Sequence, residues 1–380
     1  SVRIHYSLEA LKLENPVNTA EQAPLLKNVS FAHAAPALPT LAAPQRLRRA
    51  DPDTLHSLNG TSMGTHWRVR VGNPQFLPLQ TLRSAIEDVL ASVVRHMSHW
   101  AADSTLAQFN RAPANTWHAL PADLSTVLHA GLHWAQASGG AFDPTLGALV
   151  AAWGFGPHAP LDPADWRPAS PHAIAQAQAC SGWQGLHYHP ERGWRQHGGL
   201  QLDLSGIAKG YAVDAVLLRL HALGLRNALV EIGGELRGSG QRPDGQPWRV
   251  AIAPVPAAVG PAPDAPPSAI ALRDCAIATS GSLYHRHQWQ GRSYSHTLDP
   301  RTGAPIAHAL ASVTVLHAEC LHADALATLL TVLGPEAGWE FAEQHGIAAL
   351  LSSPTASRCS SAWEAAFGKT PFAPALEPHV

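Results

Sequence analysis

Residues 202–214 read LDLSGIAKGYAVD, and this stretch organises the rest of the chain. Its alternating start reads as the end of a strand. Gly206 and Gly210 then read as turn residues. Val213, Val216, Leu217, Leu220 and Leu223 follow at spacings of three and four, which puts them on one face of a helix. A strand, a glycine turn and a helix N-terminus present backbone N–H groups to an anion, and Lys209 adds a positive charge there. The stretch alone leaves two readings open: an anion-binding turn, or an ordinary strand–turn–helix with a lysine at its rim. It is neither a Walker A loop nor a dinucleotide fingerprint, because the glycine orders those motifs need are absent.

Downstream, residues 227–240, NALVEIGGELRGSG, carry a buried strand over 228–232 that stops at Gly233-Gly234. A second strand covers 248–253, and 269–280 return to strand. Residues 293–306, SYSHTLDPRTGAPI, set His296 and Asp299 around an Asp-Pro-Arg-Thr-Gly turn. A strand over 312–316 precedes a helix over 321–333, LHADALATLLTVL, which Gly334-Pro335 stops. Residues 339–351 read as a helix and a last strand.

Upstream, 184–204 hold one or two hairpins, 173–181 a short helix and 159–172 a Pro-rich connection. Residues 139–157, GGAFDPTLGALVAAWGFGP, place a polar turn with an aspartate inside apolar sequence. That is the look of a binding loop, or of a plain helix-to-helix turn. A helix over 119–138 opens after Pro121, near Asp123. Asp103 or Ser104 caps a short helix within 103–110. Residues 79–100 are amphipathic, with Leu82, Ile86, Val89, Leu90, Val93 and Met97 at helical spacing. Order begins near Leu58 with a turn and a strand whose Trp67, Val69 and Val71 share a face. The body, 58–368, reads as one domain. Residues 1–57 read as an extended arm, 254–268 as a Pro/Ala-rich insertion and 369–380 as a tail.

The 380 residues carry a net charge of −2, which argues against a bulk nucleic-acid binder. No apolar run approaches the ~18 residues of a membrane helix. Cys180, Cys275, Cys320 and Cys359 are far apart with no Cys-x-x-Cys pair, which argues against a structural zinc site; disulfides stay open. No charged segment followed by an apolar leader stands at the start, so the residues alone leave the compartment open.

Three features offer chemistry. Asp324 and Thr328 lie four apart on a helix and share a face. Both are hard oxygen donors that suit Mg²⁺, which takes few protein ligands besides water and phosphate oxygens. His296 is a candidate general base, because imidazole titrates near neutral pH. Trp100 and Met63 are suited to sandwich a flat ring, or to fill a core.

Taken as an ordered set, DLSGIAKGYAVD, GGAFDPTLG, MSHW with the downstream FN, IGGEL, SHTLDPRTG and ADALAT resemble the ApbE family of FAD:protein FMN transferases, over roughly residues 58–367. The resemblance implies an α+β fold, with mixed or antiparallel sheets, packed helices, and FAD in a crevice between two lobes. It implies FAD contacts from Met63, Trp100, Ala141, Phe142, Asp143, Ser205, Lys209, Tyr211 and Leu298. It implies Mg²⁺ held by the Ala208 backbone oxygen, Asp324 and Thr328. Catalysis falls to His296, with Asp324. The family commonly has tyrosine where Trp100 stands, and residues 279–287 depart from its usual Asp-Tyr-Glu continuation.

The implied reaction moves FMN from FAD to a Thr or Ser hydroxyl of an acceptor protein and releases AMP. An FAD pyrophosphatase and a non-enzymatic FAD-binding protein are the alternatives. Neither nucleic acid nor a transmembrane segment enters, and the resemblance points to the periplasm.

Overall fold

The computed structural model describes residues 54–252, 268–281 and 286–367. The expected arm before residue 54, the tail from 368 and all of the expected insertion except Ser268 lie outside the described residues.

An eight-stranded sheet forms the frame. Its strands are β1 (Leu55–Ser62), β2 (Thr65–Gly72), β3 (Ala228–Ile232), β4 (Glu235–Ser239), β5 (Cys275–Gly281), β6 (Ser312–His317), β7 (Ala348–Ser352) and β8 (Ser357–Cys359). They lie side by side in chain order, each antiparallel to its neighbour. The sheet is therefore a meander into which helical segments are inserted between β2 and β3 and between β6 and β7. The helices are α1 (Leu79–Met97), α2 (Thr105–Asn110), α3 (Ala122–Ala137), α4 (Gly147–Ala152), α5 (Pro171–Ala179), α6 (Ala208–Ala222), α7 (Cys320–Leu333), α8 (Pro335–Gln344) and α9 (Ser361–Phe367). This is the expected α+β architecture with antiparallel sheets. Among the described residues no helix is long and apolar enough to cross a membrane.

The period-two pattern decides which face is buried against what. Ala228, Val230 and Ile232 of β3, Ala276 and Ala278 of β5, and Val313 and Val315 of β6 enter one core with the apolar residues of α6 and α7. The residues between them, Leu229 and Ile277, face the other way. There they meet Trp248, Val250, Ile270 and Leu272 of a hairpin formed by Trp248–Ile252 and Ser268–Leu272. A third cluster joins Leu149, Trp153, Phe155, Trp166, Ala177 and Leu298 beside the main body.

Several boundaries differ from the sequence reading. The first strand starts at Leu55, because 55–62 and 65–72 pair across the turn at Met63-Gly64. The expected strand over 269–280 is two strands, split by Asp274 at φ 49°. Residues 202–204 form no named strand, and α6 starts at Ala208, so Gly210 sits in its first turn rather than in a loop. Close approach explains that glycine: a Cβ at Gly210 would stand 2.7 Å from Cβ of Asp324 on α7. None of the four cysteines forms a disulfide.

Candidate active site

The first turn of α6 crosses α7 at one end of the sheet. Asp324 of α7 is 4 % exposed, and its Oδ2 accepts the Gly210 N–H at 2.8 Å. That N–H is among those a helix leaves unpaired at its start, and the residue before α6, Ile207, supplies no side-chain cap. Lys209 extends its Nζ to Glu235 Oε1 at 2.8 Å and lies 3.9 Å from Asp324 Oδ1. Its stem passes Gly233, where a Cβ would stand 3.1 Å from Lys209 Cδ. Glu235 follows that Gly-Gly turn and is itself 4 % exposed.

Two carboxylates thus share one ammonium in a dry place. Burial and the nearby Asp324 carboxylate push Glu235 up to about 8, against the pull of Lys209. Burial likewise raises Asp324, with Lys209 and the Gly210 N–H opposing it. Burial alone would lower Lys209, but Asp324 and Glu235 outweigh it and hold the ammonium charged. Glu235 Oε2 is buried and has no hydrogen-bond partner.

Thr328, one turn beyond Asp324, faces Gly206: a Cβ there would meet Thr328 Oγ1 at 3.2 Å and Phe142 Cε2 at 3.4 Å. Gly206 therefore keeps space open beside the threonine hydroxyl and over the Phe142 ring. Ala208, Lys209, Asp324, Thr328 and Phe142 are brought together. Met63 lies close by: its turn, in which Met63 holds φ 53°, joins β1 to β2, and the adjoining Thr65 also touches the Gly233 turn.

The other expected residues are placed differently. Asp143 hydrogen-bonds within the chain: Oδ1 accepts from Thr145 N at 2.8 Å and Thr145 Oγ1 at 2.7 Å, and Oδ2 from Trp183 N at 3.1 Å. It shapes the loop that carries Ala141 and Phe142, both buried. Ser205 is exposed, its N–H held by Asp203 Oδ1 at 2.8 Å. Tyr211 is half-buried against the main core. Trp100 stands at the surface, 67 % exposed, its ring 5.8 Å from that of His99. Leu298 is buried in the third cluster, and His296 is exposed two residues before it.

One expectation changes. The N-terminus of α6 does not offer a free row of N–H groups, because Leu204 O takes that of Ala208 and Asp324 takes that of Gly210. The positive charge offered to an anion comes mainly from the Lys209 side chain.

The sequence profile of the ApbE family matches residues 63–351. The chain belongs to the ApbE family. A FAD:protein FMN transferase of Vibrio cholerae is 36 % identical over 299 residues, covering 77 % of this chain and 86 % of that protein. One of Haemophilus influenzae is 35 % identical, covering 78 % and 85 %. The apo crystal structure of the Pseudomonas stutzeri flavinyl transferase ApbE superposes with a TM-score of 0.75 at 36 % identity, over 83 % of this chain and 98 % of that one. The Vibrio cholerae flavin transferase ApbE gives 0.72 at 33 % identity, over 82 % and 99 %.

Within this ApbE chain, the residues suit a divalent cation. Asp324 Oδ1 is not used by the helix cap, Thr328 Oγ1 stands one turn away beside Gly206, and two buried carboxyl groups lie next to one ammonium. Among the described residues no cluster of three or more His, Cys, Asp or Glu side chains forms a metal-binding group. A cation here would therefore draw on Thr328 and a backbone oxygen as well as Asp324.

Sequence reasoning assigned no role to Glu235 of IGGEL or to Asn110 of FN. A lone carboxylate directly after an apolar strand and Gly-Gly was the available signal for Glu235. Asn110 clamps the central stretch, its Oδ1 accepting Leu202 N–H at 2.8 Å and its Nδ2 donating to Leu202 O at 3.1 Å. Such a clamp depends on a contact 92 residues away and leaves no local pattern.

Proposed function

We propose that this chain transfers FMN from FAD to a threonine or serine hydroxyl of an acceptor protein in a Mg²⁺-dependent reaction that releases AMP. It is an enzyme of the flavin-transferase class. The observation that carries the reading is the half-buried Lys209 between the buried Glu235 and Asp324, beside Thr328 and Gly206.

Each residue has a part. Asp324, Thr328 and the Ala208 carbonyl would hold Mg²⁺, which when bound neutralises the pyrophosphate and eases departure of its oxygen. Lys209 meets the same phosphate charge, and Glu235 holds its ammonium in place. A cation at this site would favour the charged forms of Asp324 and Glu235, which burial disfavours. Met63 and Trp100 contact the flavin ring. His296 accepts the acceptor's hydroxyl proton. The hydroxyl oxygen then bonds to the phosphorus of the FMN half as the bridging P–O bond breaks, and AMP carries the bridging oxygen away.

The test is to incubate the protein with FAD, Mg²⁺ and an acceptor protein, and to weigh the acceptor. A gain of one FMN less water, with AMP released, is expected. Free FMN and AMP with an unmodified acceptor would replace the reading with a pyrophosphatase, and intact FAD would leave only a binding protein.

A further inference from the structure

Asp214 ends the segment 202–214 and lies outside the residues assigned to cation, phosphate or flavin. It is 8 % exposed on α6. Its Oδ1 accepts the Cys320 N–H at 3.0 Å, and its Oδ2 accepts the Leu321 N–H at 2.9 Å. Arg237 Nη1 donates to the same Oδ1 at 2.6 Å and balances its charge. Cys320 and Leu321 are the first two residues of α7, and the residue before them, Glu319, makes no side-chain cap. The start of α7 is therefore capped by a carboxylate from another helix, 106 residues earlier.

Asp324 caps α6 in return through Gly210. Each helix takes its N-terminal carboxylate from the other, so one contact lies at the crossing, on Gly210, and the second lies one turn further along α6, at Asp214. A helix rises about 1.5 Å per residue, so a slip of one residue along either axis would break both contacts. A pair of polar contacts of this kind fixes register more narrowly than the interchangeable Leu, Val and Ala side chains between the same helices. That register decides where Asp324 Oδ1 stands against Lys209, and where Thr328 stands against Gly206.

We propose that Asp214 is a positioning residue for the cation and phosphate site: by capping α7 from α6, it sets the register that holds Asp324 and Thr328 against Lys209 and Gly206. The proposal rests on the reading of Asp324 and Thr328 as cation ligands. Asp214 itself touches neither cation nor substrate in this account.

The test measures binding of Mn²⁺ alone by electron paramagnetic resonance, FAD binding without metal by flavin fluorescence, and the melting temperature. It uses the full chain and its Asp214→Ala, Asp214→Asn and Asp324→Ala variants. Asp214→Ala should weaken Mn²⁺ by about 10–100-fold, the usual cost of removing a group that orients a metal ligand, while metal-free FAD affinity stays at the wild-type value. Asp214→Asn keeps one acceptor oxygen and the side-chain volume, so it should fall between; it also carries the measurement if the alanine variant does not fold. Wild-type Mn²⁺ affinity in the Asp214 variants, with Asp324→Ala weakened, would overturn the proposal alone. A parallel loss of Mn²⁺, metal-free FAD and folded protein would also overturn it, since a merely structural role predicts that. Unchanged Mn²⁺ affinity in Asp324→Ala would overturn the cation reading and this proposal with it.

Discussion

Two regions flank the proposed reaction, and they are built on opposite principles. At the α6–α7 crossing, the side chains that matter are ionisable, with Glu235 and Asp324 buried and Lys209 half-buried, and they hold one another: Lys209 with Glu235, and Asp324 with Gly210. Around the segment that carries His296 and Leu298, order comes from aromatic packing. Phe155 and Trp166 lie parallel with ring centres 5.9 Å apart, and His287 stacks on Trp166 at 4.6 Å. Trp153 Nε1 donates to Gly303 O at 2.8 Å and ties the turn after Asp299 to α4. The first region places charge, which requires a rigid, dry frame. The second places an exposed imidazole on a short connection and needs only a firm apolar seat. A change at the crossing should therefore alter chemistry before stability, and one in the aromatic seat should do the reverse.

The largest expected effect is at the crossing. Asp324→Ala should remove metal-dependent turnover altogether and cost about 1 kcal/mol of stability as a lost helix cap. In the wild type, EDTA should stop FAD cleavage and added Mg²⁺ should restore it. Chelator-resistant turnover would break the contrast, since the buried charges would then serve only the fold. Next comes His296→Ala, which should lower transfer by roughly 10²–10⁴-fold and leave FAD binding as it is. If that variant turns over normally, the aromatic region holds no catalytic group, and the chemistry retreats to the crossing.

These two regions were unequally legible in the sequence. The strand Ala228–Ile232 and the helix Cys320–Leu333 follow from an apolar run and from helical spacing closed by Gly-Pro, so their periodicity sufficed. Ser104 caps α2 by accepting the Ala107 N–H at 3.0 Å, as its place before a short helix suggests. The start of α6 was misread because Gly210 carries a turn signal, whereas the residue is small to admit Asp324. Glu235 was passed over because its importance lies in losing water beside Lys209, which no spacing reports. Asp143 also orders its own loop through Thr145 and Trp183, which a polar turn in the sequence does not report. A long-range partner decided the cases of Gly210 and Glu235.

A milder substitution sharpens the comparison from the aromatic side. Trp153→Phe keeps most of the packing but leaves the buried Gly303 carbonyl without its donor, at a cost of about 1–3 kcal/mol. Chemical denaturation should register that loss while Mn²⁺ binding at the crossing stays unchanged. Equal damage to both would mean that the regions are not separable. At the surface, Trp100→Ala should weaken FAD by about 1–3 kcal/mol, by analogy with aromatic–base stacking. An unaltered affinity would take Trp100 out of the flavin site.

The last effect is absent at neutral pH and emerges on acidification, because each region holds a half-buried histidine. In α7, His322 Nδ1 accepts the Trp134 Nε1–H at 3.0 Å, so the ring must be neutral there. Burial, with His317 and His133 nearby, lowers it to about 3. A positive charge in the first turn of α7 would also oppose the helix dipole. In the aromatic seat, burial lowers His287 as well, yet its stacking demands no particular tautomer. For His322 the unfolded chain binds the extra proton below its ordinary 6.5 while the fold refuses it down to about 3. Stability from this group is therefore present above pH 6.5 and is lost as pH falls through that window, by at most about 1.4 kcal/mol per pH unit. His322→Gln retains an oxygen for Trp134 and cannot charge, so its melting temperature should fall less steeply between pH 6.5 and 4 than that of the wild type. His287→Gln should leave that slope nearly as it was. If the His322→Gln curve runs parallel to the wild type and the His287→Gln curve flattens, the acid-sensitive element belongs to the aromatic seat, and the assignment of buried charge to the α6–α7 crossing alone is wrong.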